Sequence, residues 1–260
     1  MEPTWARERR VTPIRAEPTA QVRLLDVQAI DTALSQLEHR RRTLPEHAEI
    51  ARLEKDRAAL ESSLVAADTA VSDLELEQAQ AERDLQPVRD RLVRNQQRIA
   101  AGSVADPKAL AAMVEEVDHL KKRIRDLEDA ELEVMQQLET ETTGREILRA
   151  RAATLAQTLA DLSAKRDTQL GELAADVAER RSEREGLTAD LPPALLALYT
   201  KVAASHGGVG AAELRQGRCT GCQLDINAAD LRVFKDAPAE EVLRCEECSR
   251  ILVRTVNSGL

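Results

Sequence analysis

Aromatic residues are almost missing from this chain: there is one Trp, one Tyr and one Phe in 260 residues. Large aromatic side chains carry much of the buried area of a globular core, so a chain this long without them is not organised around one broad core. No run of about 18 apolar residues occurs, which excludes a membrane-spanning helix. The first 17 residues contain two prolines and several arginines but no apolar centre of the kind a secretory signal needs. An excess of basic residues is also lacking: the formal net charge is −9, which argues against wholesale attraction to nucleic acid or anionic lipid. Cysteine is absent from the first 218 positions. All four cysteines fall between 219 and 248 as two pairs. In a chain expected to be cytoplasmic, that pattern points to metal before disulfides.

What is plentiful is charge, at 32% of residues, in a background rich in Ala, Leu, Glu and Arg. This is the composition of long helices with a narrow apolar seam. From Val27 the apolar positions step through Ile30, Leu34, Leu37 and Leu44, a 3-4 spacing that sets one side of a helix against a partner. At Thr43-Leu44-Pro45-Glu46 a kink and a new helix start are expected, from the capping-box spacing of Thr43 and Glu46 and a proline in the first turn. The repeat then runs from Ile50 to Ile99, where twelve of fifteen seam positions are apolar against 43% in the whole chain. The exceptions are Arg57, Gln78 and Asn95. Pro87 does not shift the phase, so it predicts a bend and not an end. A second run extends from Leu110 to Leu173, with fourteen of nineteen seam positions apolar.

Between the runs lies Ala101-Gly102-Ser103-Val104-Ala105-Asp106-Pro107. Gly102 suits the left-handed residue that ends a helix, Asp106 suits a cap, and Pro107 suits a first helical position. Residues 18–100 and 107–189 make equal arms around it, so the reading is mainly α: an antiparallel coiled-coil hairpin over 18–191 with its tip at 101–107. Each arm would approach about 125 Å if helical throughout. Thr140, Thr142, Thr143 and Gly144 are poor helix formers beside a charged seam at Glu141 and Arg145, which predicts a flexible point, with Ser62 and Ser63 opposite Gly144. Residues 1–17 read as a flexible tail, 192–206 as a connecting helix stopped by His206-Gly207-Gly208, and 207–260 as a separate small module.

That module carries Cys219-Thr220-Gly221-Cys222 and Cys245-Glu246-Glu247-Cys248. A two-residue gap lets both sulfurs of a pair converge on one ion, and the long gap brings the second pair opposite the first. Tetrahedral coordination by Cys219, Cys222, Cys245 and Cys248 suits structural Zn²⁺, with Phe234, Leu224, Ile226, Leu231 and Val242 as the small core. Iron in a four-thiolate site and a thioredoxin-like redox pair are the competing readings. Catalytic zinc keeps an open position, whereas four cysteines fill the shell. None of His39, His47, His119 or His206 lies beside the cysteines.

Two regions are candidates for binding a partner. The module holds seven cations against eight acids, yet Arg218, Arg250 and Arg254 stand close to the metal turns. Residues 83–125 hold ten cations against six acids, so the tip end is positive in an acidic chain. There Arg98, Lys108, Lys121, Lys122 and Arg123 are the candidate contacts. Nucleic acid and an acidic protein surface both suit such a patch. Monomer and homodimer are both open.

With both motifs in place, the chain resembles a bacterial family of coiled-coil hairpin proteins that end in a four-cysteine zinc ribbon. The resemblance covers about residues 20–254. It rests on Gly102-Ser103-Val104-Ala105-Asp106-Pro107-Lys108-Ala109-Leu110 with Glu116 and Leu120-Lys121, and on Gly217-Arg218-Cys219-Thr220-Gly221-Cys222 with Cys245-Glu246-Glu247-Cys248-Ser249-Arg250-Ile251-Leu252. It implies zinc on the four cysteines, and either nucleic-acid binding or protein-partner and chaperone-like roles, including in flagellar assembly; nothing in the sequence shows a flagellar link. Ser249 stands where these zinc turns commonly have Gly, which implies a tighter or differently shaped corner. The expectation is a non-enzymatic zinc-binding coiled-coil adaptor, associated with RNA or DNA, with a protein-binding scaffold as the alternative.

Overall fold

The computed structural model describes residues 14–260. It contains α1 (Pro18–Arg42), α2 (Pro45–Ala100), α3 (Pro107–Ala189), α4 (Pro193–Ser205), β1 (Ala211–Arg215), β2 (Arg218–Cys219), α5 (Ala228–Asp236), β3 (Leu243–Arg244) and β4 (Ile251–Val253). The first arm is therefore two helices broken at Thr43-Leu44, and the second is a single helix of 83 residues. Thr43 closes α1 by donating its hydroxyl to the His39 carbonyl at 2.9 Å. Pro87 lies inside α2 without ending it. Among the described residues no helix is long and apolar enough to cross a membrane.

The chain forms two compact units. One spans residues 46–164 and is the hairpin of α2 with the first part of α3. Its turn is built by the residues that signalled it. Gly102 takes φ +62°, and Asp106 accepts from the backbone N–H groups of Lys108 and Ala109 at 3.2 and 3.3 Å. The seam buries Leu53, Val71 and Leu85 of α2 and Val117, Ile124 and Leu159 of α3. Asn95 is buried in the same seam with Nδ2 unpartnered among the described residues, a polar seam position that favours one register at some cost in stability. Arg89 with Glu128 and Arg91 with Glu116 tie the two helices across the surface. Helix α3 runs unbroken through Thr140–Gly144. Just beyond it, Asp68 of α2 pairs with Arg149 at 2.8 Å and with Arg145 at 3.8 Å.

The other unit takes in the described residues up to Pro45 and residues 165–260. Its sheet has the order β2-β1-β4-β3, with β1 and β4 parallel and the outer pairs antiparallel. One core joins Leu24 and Val27 of α1, Leu195 and Tyr199 of α4, Ala211 of β1, and Ile251 and Val253 of β4. Of the flexible tail expected over residues 1–17, positions 1–13 lie outside the described residues, whereas 14–17 are held. Ile14 accepts from the Val242 N–H at 3.1 Å, Ala16 donates to the Glu240 carbonyl at 2.8 Å, and the Ala16 side chain is buried. Val242 belongs to this core and not to that of the cysteine module.

Two glutamines one heptad apart on α1 bind the backbone of the module. Gln21 donates to the carbonyls of Ala16 and Ala239. Gln28 accepts from the N–H groups of Gly210 at 2.7 Å and Ala211 at 3.3 Å, and donates to the Gly208 carbonyl at 3.0 Å. Beside them Tyr199 donates to Asp31 at 2.7 Å, and Asp31 takes a two-pronged contact from Arg184 at 2.6 and 3.3 Å. Burial and the Asp31 carboxylate both drive the Tyr199 phenol above its ordinary range, so it remains a neutral donor. Buried polar groups satisfied in this way fix the start of β1 against α1 and α4.

Candidate metal centre

Each cysteine pair sits on the same local device. After β2, the Cys219 carbonyl accepts from the Gln223 N–H at 2.8 Å, and the Cys219 N–H donates to the Leu224 carbonyl at 3.0 Å. After β3, the Cys245 carbonyl accepts from the Ser249 N–H at 2.8 Å, and the Cys245 N–H donates to the Arg250 carbonyl at 3.0 Å. Closing so short a loop requires a left-handed residue directly after the second cysteine, and there Gln223 has φ +64° and Ser249 φ +58°. This is the physical content of the unusual serine: it takes the glycine-favoured conformation at a cost of about 1 kcal/mol. Ser249→Gly is expected to relieve that strain and raise zinc affinity about fivefold, measured by competition with a chromophoric chelator. Unchanged or weaker affinity would show that the corner carries no strain.

The two turns bring the four sulfurs together. Cys219 Sγ lies 3.9 Å from Cys248 Sγ, and Cys222 Sγ lies 3.9 Å from Cys245 Sγ. All four lie within 4.8 Å of one another. A tetrahedron of thiolates about 2.3 Å from Zn²⁺ has edges of about 3.8 Å, so the donor set fits the ion. Cys219 and Cys245 are buried and the other two are half-buried. In the metal-free thiols, burial pushes Cys245 up to about 12 and also raises Cys219. Cys248 is partly buried too, but hydrogen bonds from the Arg250 backbone and side chain prevail and lower it to about 7. Behind the sulfurs lies a second small core of Ala212, Leu214, Ile226, Phe234, Leu243 and Leu252, with Leu231 packed against it. Leu224, expected in that core, is 50% exposed because its backbone is committed to the first cysteine turn.

The arginines near the turns are largely used up by the protein itself. Arg250 donates to the carbonyls of Val209 at 3.0 Å and His206 at 3.3 Å, and its stem crosses Gly221 so closely that a Cβ there would lie 2.7 Å away. Arg254 donates to five carbonyls, those of Phe234, Ala237, Pro238, Ala239 and Glu241. Burial lowers its pKa below the ordinary guanidinium range. Arg218 pairs with Asp225 at 2.9 Å. Arg250 and Arg254 are therefore ties of the fold, with guanidinium N–H groups engaged by backbone carbonyls.

At the hairpin turn the picture is the reverse. Lys121 pairs with Asp118 at 3.1 Å. Arg98, Lys108, Lys122 and Arg123 are exposed, and their side chains have no hydrogen bond or ion pair among the described residues; the same holds for Arg94 and Arg125. Arg98 and Lys108 flank the turn, and Lys122 and Arg123 lie about 20 Å further along α3. Gln21, Gln28 and the Asp31–Arg184–Tyr199 group are not foreseen from the sequence. Their only signal there is the seven-residue spacing of two glutamines beside Leu24 and Val27.

Comparison with known proteins agrees with both halves. Residues 27–207 match the model of the CT398-like coiled-coil hairpin domain, and residues 218–252 match a C4-type zinc ribbon domain. The uncharacterized protein Rv2229c of Mycobacterium tuberculosis is 33% identical over 245 residues, covering 93% of this chain and 98% of that protein. A solved structure from Mycobacterium smegmatis has a TM-score of 0.80 at 28% identity, covering 93% of this chain and 100% of the other. CT398 from Chlamydia trachomatis has a TM-score of 0.65 at 16% identity, covering 91% and 98%, and shares the fold. Four converging thiols that follow a helical hairpin in the chain, with both domain models matched in order, establish that this chain belongs to the CT398-like coiled-coil hairpin family and ends in a structural C4-type zinc ribbon.

Proposed function

We propose that this protein is a non-catalytic, cytoplasmic adaptor that engages nucleic acid through the turn end of its hairpin, while the zinc ribbon has a structural role. The observation that carries the reading is the contrast in arginine and lysine use. Around the ribbon, Arg250 and Arg254 are committed to backbone carbonyls and Arg218 to Asp225. Around the turn, Arg98, Lys108, Lys122 and Arg123 have no acid among the described residues to neutralise them. Unpaired cations on an exposed helix end attract phosphates and release their counterions on binding. The non-catalytic part of the reading draws on the zinc shell, which four thiolates close.

A protein partner is the second reading, favoured by the exposed Val93, Leu110 and Val114 near the same turn. Charge reversal separates the two. The variant Lys108→Glu/Lys122→Glu/Arg123→Glu leaves the seam and the ion pairs across it untouched, so its helicity should match the parent. Its affinity for a mixed-sequence RNA should fall at least about thirtyfold, since each phosphate-binding cation removed weakens binding whatever the base sequence. Arg218→Glu should change that affinity little. Equal RNA binding by the triple variant and the parent would sink the nucleic-acid reading.

A further inference from the structure

One flank of the hairpin reverses its charge along its length. On α2, positions separated by alternating three- and four-residue steps fall on one face. They read Asp73, Glu77 and Asp84 and then, beyond Pro87, Arg91, Arg94 and Arg98. On α3 the equivalent stripe begins at the turn with Lys108, passes Glu115, reaches Lys122, and then becomes Asp126, Asp129 and Glu133. Both stripes border the same side, because the hollow of ≈ 670 Å³ between the helices is lined by Ala70 and Leu74 from α2 and by Glu133, Gln136 and Thr140 from α3. A second hollow of ≈ 380 Å³, lined by Arg94, Gln97, Arg98, Ala101 and Ser103, opens at the turn. The sign changes between Asp84 and Arg91, about 14–24 Å from the turn end of α2, and between Lys122 and Asp126, about 22–28 Å from the start of α3, so the two crossings overlap in height.

The acidic half is as unsatisfied as the basic half. Asp73, Glu77, Asp126, Asp129 and Glu133 are exposed or half-buried and form no hydrogen bond or ion pair among the described residues. No Lys or Arg occurs between residues 58 and 82 or between 126 and 144; the acids there include Asp68 and Glu128, which are paired with arginines from outside these segments. So the flank holds a hollow bordered by Glu133 and Glu141 and another bordered by Arg94 and Arg98, on either side of a point of sign reversal.

We infer that this flank is a docking surface for a second copy of the same chain. A copy rotated by 180° about an axis through the reversal point, lying in the face and perpendicular to the hairpin's length, runs antiparallel and sets each basic half over the other's acidic half. Such an interface is isologous: every contact occurs twice, and both ends are satisfied at once. Complementary potentials of this kind fix register and exclude the parallel alternative, which would oppose like charges. The basic half is the one proposed to take nucleic acid, so the inference shares those cations, but the acidic half has no part in phosphate binding. RNA and the second copy therefore compete, and self-docking masks the turn until a polyanion displaces it.

The test is sedimentation velocity on the full chain in low and high salt. The parent should be a dimer near 0.05 M salt and a monomer near 0.5 M, with association weakened at least about tenfold as exposed charges are screened. Two charge variants follow, Arg94→Glu/Arg98→Glu/Lys122→Glu and Asp73→Lys/Glu77→Lys/Glu133→Lys. Each alone opposes like charges and should be monomeric, while their equimolar mixture should restore a salt-sensitive dimer. A parent that is monomeric in low salt, a dimer indifferent to salt, or a dimer kept by either variant alone would overturn the inference. If the variants lose helicity by circular dichroism, the parent's salt series still decides it. RNA binding by a monomeric parent would leave the functional reading standing without this one; a salt-sensitive dimer that ignores RNA would do the opposite.

Discussion

Replacing Cys245 by serine is expected to abolish zinc binding and unfold the ribbon while leaving most of the helical signal in place. The ribbon's own core is small, six buried apolar side chains around the cysteines. A four-thiolate zinc site supplies apparent binding energy on the order of 10–16 kcal/mol, more than such a core can replace. Helices α2 and α3 draw their stability from the seam between them, so far-ultraviolet circular dichroism should fall only modestly. Elemental analysis should drop from about one zinc per chain to none, and limited proteolysis should cut within 211–253. Full protease protection of the metal-free ribbon would contradict this expectation. Proton competition gives the same claim a pH signature. In the metal-free form Cys245 and Cys219 hold their protons through neutral pH because burial raises both, whereas Cys248, lowered to about 7, is already partly ionised. Zinc uptake must displace those protons, so affinity falls as pH falls, and uptake in weak buffer should acidify it.

The second large effect concerns Gly210. A Cβ at this position would lie 2.7 Å from the Tyr199 carbonyl oxygen and 2.8 and 2.9 Å from atoms of its ring. The carbonyl belongs to α4 and cannot swing away, and the ring is fixed by the bond from its hydroxyl to Asp31. Gly210 also donates its N–H to Gln28, so the strand cannot move off without weakening the hold on that buried oxygen. Gly210→Ala should therefore cost about 3 kcal/mol or more, a fall in Tm of roughly 10 °C for the unit that contains the ribbon. Differential scanning calorimetry reads this directly. A shift of a degree or less would mean that β1 and α4 have room to separate.

Local signals in the sequence are accurate wherever one residue type has one physical use. Gly102, Asp106 and Pro107 each do at the turn what their chemistry allows, and Gly207 and Gly208 take the left-handed conformations that stop α4. The cysteine spacing is equally direct, since two short loops can meet around an ion in few ways. What sequence does not expose is the use of side chains whose partners are distant in the chain. Arg254 looks like any surface cation until the fold brings five carbonyls around its guanidinium. Gln28 looks like a polar helix residue until Gly210, far along the chain, reaches its oxygen. Residues 14–17 have no periodicity to announce them, because they are held by backbone bonds to residues 240–242. The charge reversal along the hairpin is present in the residues but becomes visible only when both stripes are placed on one side of a paired α2 and α3.

Whether the unpaired cations at the hairpin turn bind phosphates is tested most directly by the affinity of the intact, zinc-loaded protein for single-stranded RNA as a function of salt. If the turn binds, the logarithm of the association constant falls linearly with the logarithm of salt concentration, with a slope of about −3 from four or so neutralised phosphates. The Lys108→Glu/Lys122→Glu/Arg123→Glu variant flattens that slope. An affinity that is negligible at low salt, or a slope near zero, would contradict nucleic-acid binding at the turn.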